Sequence, residues 1–299
     1  MTIAIGLMAE DGIVVAADTQ ESTGGLLKGD KQKMVSFGGA IGQDAKSVRE
    51  GGCVIAGAGD SGHTRALIDQ LGFLFMVNGD LQVMTLANDK TLSLVGEFRT
   101  CLRSFYKEHI IPFASFPRRE RPDVEMLIAL YRNYQPCLFY TEKTAIIHAL
   151  HYKAIGLGST FSELLLNGYW RPRMPVVEAQ VLAAYVVFMT KEWVEDCGKY
   201  TGMLTLNEDR FFLGGEDIKG EGITYTPWQT IEEWEHLFRT KWRDADCNLV
   251  RRQIEDQARR TGLKKKIRSP RERAKRIAAG LAALGSFKQS TSRKLKDSQ

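Results

Sequence analysis

The stretch MTIAIGLMAEDGIVVAADTQ (residues 1–20) carries most of the information about the fold. Two short apolar runs, IAIGLMA and IVVAAD, are separated by Glu-Asp-Gly, and Asp11-Gly12 is a typical turn dipeptide of a β-hairpin. The chain is therefore predicted to open with a hairpin whose first strand starts almost at residue 2. Such a hairpin returns Asp18, at the end of the second strand, to the beginning of the first.

The later segments continue in an order that separates fold classes. A strand-like run at 51–59 precedes helical periodicity over 60–77 and 88–112. Four strand-like runs follow, then helical patterns at 159–168 and 176–195, then closing strands. This order does not alternate as a parallel doubly wound sheet does. It favours an α+β fold, a four-layer αββα sandwich of two antiparallel sheets flanked by helices.

The composition shifts from residue 226 onward. We predict a main domain at 1–225, a helical C-terminal extension at 226–262 and a basic, partly disordered tail at 263–299. Residues 264–299 hold twelve Lys/Arg and two Asp/Glu, a net charge of +10, so the rest of the chain carries −5 of the total +5. The tail lacks interleaved aromatic residues, which favours a solvated segment over a nucleic-acid interface.

Several functional classes are disfavoured by what the sequence lacks. No apolar run reaches the ~18 residues that span a membrane, and the N-terminus has no secretory signal, so a cytoplasmic protein is expected. Five scattered cysteines without a CxxC motif indicate reduced thiols. His148 and His151 are spaced closely enough to share a metal, but a strand or turn position is favoured. We therefore predict no metal and no cofactor.

Three blocks of the sequence together resemble a known family. The first is MTIAIG…EDGIVVAADTQ…TGG…KGDKQKM, the second is CVIAGAGDSG, and the third is AIGLGSTF followed by EDCGKYTGML. Across residues 2–213 they resemble the proteasome β-subunit-like family of N-terminal-nucleophile hydrolases. They look even more like the bacterial ATP-dependent ring protease of the heat-shock system.

The first block implies a threonine protease whose nucleophile is Thr2. Methionine aminopeptidases remove Met1 when a small residue follows, and this exposes a hydroxyl and a free α-amine on the same residue. An α-amine has a pKa of ~7.7–8 and can serve as the base for the neighbouring hydroxyl. Asp18 stands sixteen residues after Thr2, as the family's catalytic aspartate does. Lys33 matches the catalytic lysine with one residue fewer in between, and Lys31 is the alternative.

The other two blocks imply the rest of the site by resemblance. Gly59 is expected to donate its backbone N–H to the oxyanion, and Asp196 takes the family's acidic position. Leu157 and Lys199 occupy positions where family members carry serines. The expected substrate-binding residues are Gln20, Gly57 and Ser61.

The resemblance implies a threonine-type endopeptidase that cleaves peptides or unfolded proteins inside a homo-oligomeric ring, with an ATP-dependent unfoldase as partner and no membrane contact. Two alternatives stay open. Because Leu157 and Lys199 depart from the family pattern, the chain is alternatively an inactive proteasome-like scaffold subunit. An N-terminal-nucleophile amidase acting on small amides shares the same fold and chemistry.

Overall fold

The computed structural model describes residues 3–23, 27–38, 52–80, 87–117, 121–132, 135–213, 216–242, 250 and 252–256. Thr2 and the basic tail lie outside these residues. The described strands are β1 (Ile3–Ala9), β2 (Gly12–Asp18), β3 (Gln20–Thr23), β4 (Leu27–Asp30), β5 (Met34–Gly38), β6 (Gly52–Gly59), β7 (Val124–Arg132), β8 (Gln135–Glu142), β9 (Ala145–Ala149), β10 (Tyr152–Gly156), β11 (Thr201–Leu213) and β12 (Glu216–Tyr225). The described α-helices are α1 (Ser61–Asp80), α2 (Ala87–Phe105), α3 (Ser159–Tyr169), α4 (Val176–Trp193) and α5 (Trp228–Leu237).

The strands form two five-stranded antiparallel sheets and a separate hairpin. The first sheet has the order β10-β1-β2-β11-β12 and the second β5-β6-β7-β8-β9, while β3 pairs only with β4. This arrangement confirms the prediction of a mixed fold with two antiparallel sheets and helices. It also places the first hairpin, β1–β2, in the middle of a sheet.

The turn of that first hairpin differs by one residue from the predicted turn. Ala9 pairs with Gly12, so Glu10 and Asp11 form the two-residue loop, and Gly12 is the first residue of β2. A Cβ atom added at Gly12 would lie 2.3 Å from the carbonyl oxygen of Leu206 on β11. Glycine is therefore required here by the close approach of another strand and not by the turn.

Three groups of buried apolar side chains connect sheets and helices. The first group contains residues of β1 and β2 together with α3, α4 and α5, for example Val14 and Leu182. The second joins β6 and β7 to α1 and α2, for example Ile55 and Leu67. The third group takes residues from both sheets. Its members include Val15, Leu206, Leu127 and Leu138.

Helix α4 is buried along most of its length, as its all-round apolar pattern predicts. Its N-terminus is bound by the hairpin turn, because Asp11 Oδ1 accepts a hydrogen bond from the backbone N–H of Val176 at 2.8 Å. None of the described helices, α4 included, combines the length and apolarity needed to cross a membrane.

The C-terminal helix α5 packs on the body of the protein. Trp234 and Phe238 are buried in the same apolar group as α4, whereas Trp228 at the start of α5 is 58% exposed. The helix continues through a π-helical turn at Phe238–Trp242. Residues 1–258 belong to one compact unit. The predicted domain boundaries after residues 225 and 262 stay predictions.

Candidate active site

Asp18 is a fully buried carboxylate at the end of β2. Its Oδ1 accepts hydrogen bonds from the backbone N–H of Ile3 at 3.0 Å and from Lys33 Nζ at 2.7 Å, and its Oδ2 accepts one from the Gly198 N–H at 2.9 Å. A buried charge is tolerated only when it is paired and hydrogen-bonded, and these three donors meet that condition. The carboxylate thus joins the start of β1 to two distant segments of the chain.

Lys33 is the cationic partner of this carboxylate. Its side chain is 9% exposed, and it also donates to the carbonyl oxygen of Gln20. Burial lowers the pKa of Lys33, and the neighbouring Asp18 carboxylate partly offsets this effect. Lys31, the alternative, instead pairs with Glu21 at 3.4 Å on a more exposed surface. The structure therefore brings Lys33, and not Lys31, to Asp18.

The backbone around Lys33 is fixed by the second sheet. The Lys33 carbonyl accepts a hydrogen bond from the Gly57 N–H at 3.0 Å, and Met34 pairs with Ala56 in the β5–β6 ladder. A Cβ atom added at Gly57 would lie 2.2 Å from Thr64 Cγ2. Gly57 thus permits close packing of α1 on β6 directly beside Lys33. Its predicted role in substrate binding stays a prediction.

Gly59 ends β6 in a conformation that only glycine adopts readily. Its φ is +109°, and an added Cβ atom would lie 1.9 Å from the carbonyl oxygen of Asp123. The next residue, Asp60, accepts from the backbone N–H of His63 at 3.1 Å and thereby caps α1. The exposed backbone at Gly59 therefore stands at the N-terminal end of a helix.

Ser61 is the first residue of α1, and Gln20 is the first residue of β3. The Ser61 hydroxyl hydrogen-bonds to Glu21, and this bond lowers the pKa of the Glu21 carboxyl. Gln20 is almost completely buried, and its Nε2 has no hydrogen-bond partner among the described residues. An added Cβ atom at Gly198 would lie 2.4 Å from Gln20 Oε1, so Gln20 packs directly on the segment that binds Asp18.

That segment connects α4 to β11 and contains two of the residues predicted from resemblance. Asp196 is half-buried in its turn, two residues before the Gly198 N–H that donates to Asp18. Lys199 follows with a φ of 62° and an exposed side chain. The EDCGKYTGML block therefore contacts Asp18 through a backbone group, the Gly198 N–H.

Leu157 lies in the turn after β10 and is 55% exposed. The neighbouring Gly158 is close to the start of β1, because an added Cβ atom there would lie 3.2 Å from both Ile3 Cβ and Cys197 Sγ. The turn that carries Leu157 is thus adjacent to the first residue of β1.

Sequence reasoning missed three features of the site. The Ile3 and Gly198 N–H groups are donors to Asp18, and Cys197 is buried beside the ion pair, where burial raises its thiol pKa to about 12. Gly198 stands within the EDCGKYTGML block, so the motif contained a signal for it. Cys197 stands in the same block. The Ile3 N–H is a backbone donor, and backbone donors leave no trace in side-chain patterns, which explains its omission. Within the described residues, no group of three or more His, Cys, Asp or Glu is arranged to hold a metal ion.

Two antiparallel sheets with helices, and a buried Asp–Lys pair at the start of the first strand, are consistent with the sandwich of N-terminal-nucleophile hydrolases. No protein-family model and no curated protein matches the sequence. Solved structures with a similar fold include Anbu proteins. The Anbu complex from Pseudomonas aeruginosa, described as a helical assembly, is 12% identical with a TM-score of 0.56 over 81% of this chain and 94% of that one.

Two further Anbu structures agree with this likeness. A Gly-1 mutant from Hyphomicrobium sp. strain MC1 is 17% identical, with a TM-score of 0.56 over 82% of this chain and 97% of that one. Anbu from Yersinia bercovieri, described as an ancestral β-subunit, is 12% identical, with a TM-score of 0.55 over 78% of this chain and 92% of that one. The TM-scores of 0.55–0.56 support a shared fold, and at identities of 12–17% the likeness extends to the fold alone.

The comparisons correct the family named from the sequence. The predicted assignment to proteasome β-subunits, close to the bacterial heat-shock ring protease, is wrong, because the similar structures are Anbu proteins, a proteasome-like but distinct family. Short motifs around a site are shared by families with the same architecture. Those motifs therefore indicated the architecture without separating the families.

Proposed function

We propose that this protein is a threonine-type peptidase that uses Thr2 as an N-terminal nucleophile after loss of Met1. The observation that carries this proposal is the buried Asp18–Lys33 pair, whose carboxylate also accepts from the Ile3 N–H. Thr2 is joined to Ile3 by a single peptide bond, so the anchored Ile3 amide supports a catalytic role for the residue before it.

In the proposed reaction, the Thr2 hydroxyl oxygen attacks the scissile carbonyl carbon while the Thr2 α-amine accepts the hydroxyl proton. The Gly59 N–H stabilises the oxyanion, and the amine then protonates the leaving nitrogen as the C–N bond breaks. Water hydrolyses the resulting threonyl ester and restores the hydroxyl. The cationic Lys33 disfavours protonation of a nearby α-amine and so keeps it basic at neutral pH.

The remaining predicted residues have supporting roles in this proposal. Asp18 keeps Lys33 charged and oriented, and Asp196 contributes an acidic group near the same carboxylate. Gln20 and Ser61 form the polar wall of the substrate cleft beside Gly59, and the close packing at Gly57 fixes that wall. The exposed Gly59 backbone and the Ser61–Glu21 hydrogen bond support this arrangement.

The four-layer αββα sandwich and a homo-oligomeric assembly are parts of the same proposal. One apolar group lies between the two sheets, and one lies between each sheet and its helices, which supports four layers.

Head-to-tail interfaces close into rings or continue as open helices, and the Pseudomonas aeruginosa Anbu complex is a helical assembly. The ATP-dependent unfoldase was implied only by the resemblance to the heat-shock ring protease. Because that family assignment is wrong, the predicted unfoldase partner loses its support. The three-part domain organisation and the cytoplasmic location remain proposals from the sequence.

A non-catalytic scaffold is the second candidate, and the side chains of Leu157 and Lys199 favour it. Both replace hydroxyl groups that would help to hold the threonine amine, and both are exposed. A chain that keeps the fold but lacks these hydroxyls would assemble without cleaving.

Intact mass before and after treatment with a peptide epoxyketone separates the candidates. An epoxyketone reacts with both the hydroxyl and the amine of an N-terminal threonine, so we expect loss of Met1 and one adduct at Thr2. Thr2→Ala should abolish the adduct and the cleavage of fluorogenic peptides, whereas Thr100→Ala, on the exposed face of α2, should change neither. Retained Met1 in the assembled protein, or full activity of Thr2→Ala, contradicts the peptidase. Cleavage of small amides without cleavage of peptides identifies an amidase.

A further inference from the structure

A partly buried polar network connects the C-terminal helix α5 to the end of α4. Lys191 Nζ donates to Glu235 Oε1 at 2.5 Å, to Thr201 Oγ1 at 2.8 Å and to the carbonyl oxygen of Lys199 at 3.2 Å. Thr201 Oγ1 in turn donates to the same Glu235 oxygen at 2.6 Å. The three N–H donors of an ammonium group are therefore all used. The side chains of Lys191 and Glu235 are only 9% and 18% exposed.

The same network holds the segment that donates to Asp18. Lys199 follows directly on Gly198, whose N–H donates to Asp18 Oδ2 at 2.9 Å, and Thr201 comes two residues later at the start of β11. Lys199 has a left-handed φ of 62°, and its carbonyl oxygen is fixed by the hydrogen bond from Lys191 Nζ. Two sides of one short segment are thus bound, one by the Asp18 carboxylate and the other by the Lys191–Glu235 pair.

We propose that Glu235 is a positioning residue: α5 acts through Lys191 to hold the Gly198 N–H against the Asp18 carboxylate. The catalytic consequence of this role rests on the function proposed above, because Asp18 orients Lys33 there. The C-terminal extension is on this account a structural part of the site, although α5 contributes no group that touches the substrate.

The physical basis is the cost of a buried charge without its partner. Removal of the Glu235 carboxylate leaves the Lys191 ammonium with two neutral acceptors, and such a group recovers solvation by moving toward water. That movement would release the Lys199 carbonyl and loosen the Gly198 peptide. Displacements of about 1 Å around a reacting centre are enough to lower rates by up to a hundredfold.

Four proteins test this role: the wild-type full-length chain, Glu235→Ala, Glu235→Gln and the control Glu233→Ala. Glu233 lies on the same helix, and its side chain is exposed. Glu235→Gln keeps an acceptor oxygen for Lys191 and Thr201 while it removes the charge. Amide hydrogen exchange of the peptide covering residues 195–201 measures the loop without reference to activity. Fluorogenic peptide turnover, normalised to the number of epoxyketone-reactive sites, gives kcat and KM per competent site.

We expect Glu235→Ala to exchange faster over 195–201 and to lower kcat on the order of tenfold, with KM close to the wild-type value. Glu235→Gln should retain most of the kcat, and Glu233→Ala should match the wild type in both measurements. Unchanged exchange in Glu235→Ala overturns the coupling. Faster exchange with unchanged kcat per site overturns the positioning role, as does a loss confined to the number of reactive sites. A wild-type chain with no Thr2-dependent turnover contradicts the proposed function instead, and the exchange measurement then decides the coupling alone.

Discussion

Gly198 and Asp18 lie 180 residues apart in the chain, yet the Gly198 N–H donates to Asp18 Oδ2 at 2.9 Å. The other carboxylate oxygen accepts from Lys33 and from the Ile3 N–H. One buried side chain therefore ties together the first strand, the segment before β5 and the connection from α4 to β11. The candidate site therefore forms only when all three segments are hydrogen-bonded to Asp18 at the same time.

Replacement of this carboxylate should affect stability and activity together. Asp18→Asn leaves Lys33 buried without its counter-charge, and we expect a loss of about 3 kcal/mol in the free energy of unfolding. Without the carboxylate, burial of Lys33 is unopposed, so its pKa falls further and peptide cleavage should be lost. Urea unfolding and peptide turnover measure the two effects. Asp30→Asn, an exposed acid on β4, is the matched control. Equal stability of the two variants would contradict the structural role of Asp18.

Gly59 should tolerate no side chain. Gly59→Ala places a Cβ atom against the Asp123 carbonyl at a φ of +109°, and we expect destabilisation of about 1–3 kcal/mol together with loss of peptide cleavage. Gly96→Ala, in the interior of α2, meets nothing within 4 Å and should raise stability by up to about 1 kcal/mol. Thermal unfolding of both variants gives the comparison. A Gly59→Ala protein as stable as Gly96→Ala would refute the backbone strain.

The two tryptophans of α5 should respond very differently to truncation. Trp234 is buried against the body, so Trp234→Ala should cost about 3–5 kcal/mol in the free energy of unfolding. Trp228 is 58% exposed, and Trp228→Ala should stay within about 0.5 kcal/mol of the wild type. Urea unfolding followed by circular dichroism measures the free energy of unfolding of both variants. Similar values for the two variants would indicate that α5 does not pack on the body in solution.

The buried thiol of Cys197 predicts a loss of stability at alkaline pH. Burial raises the pKa of this thiol to about 12, from an ordinary value of 9.0. The unfolded chain therefore loses the proton first as the pH rises, so the stabilisation is complete below pH 9 and is lost as the pH approaches 12. Tyr106, with a pKa raised by burial to about 12, acts in the same direction.

Cys197→Ala measures how much of the alkaline loss of stability comes from the Cys197 thiol. Between about pH 8 and about pH 10.5, the wild type should lose about 1–2 kcal/mol more free energy of unfolding than Cys197→Ala. The comparison of slopes removes the constant effect of the lost sulfur atom. Identical slopes would show that the thiol is not protected in the folded state.

Short-range patterns were sufficient for part of the site. The hairpin at the start of the chain, with Asp18 at its far end, followed from the period of two apolar runs. The placement of its turn did not follow, because Gly12 is required by contact with Leu206 on β11. The choice between Lys31 and Lys33 likewise rested on a resemblance, whereas the ion pair with Asp18 depends on how β3, β4 and β6 fix the intervening backbone.

The sequence by itself determined the first hairpin, with Asp18 at its open end, and the order of the main blocks of strands and helices from β6 onward, whereas it did not predict β3, β4 or β5. Hydrophobic period and turn chemistry are local properties, and they can be read from neighbouring residues. The tertiary structure decided that Lys33 reaches Asp18, that Gly198 supplies the opposing donor, and that Glu235 of α5 is bound to the same segment through Lys191. These contacts join residues far apart in the chain, and they form only when the sheets and helices pack, so no local pattern encodes them.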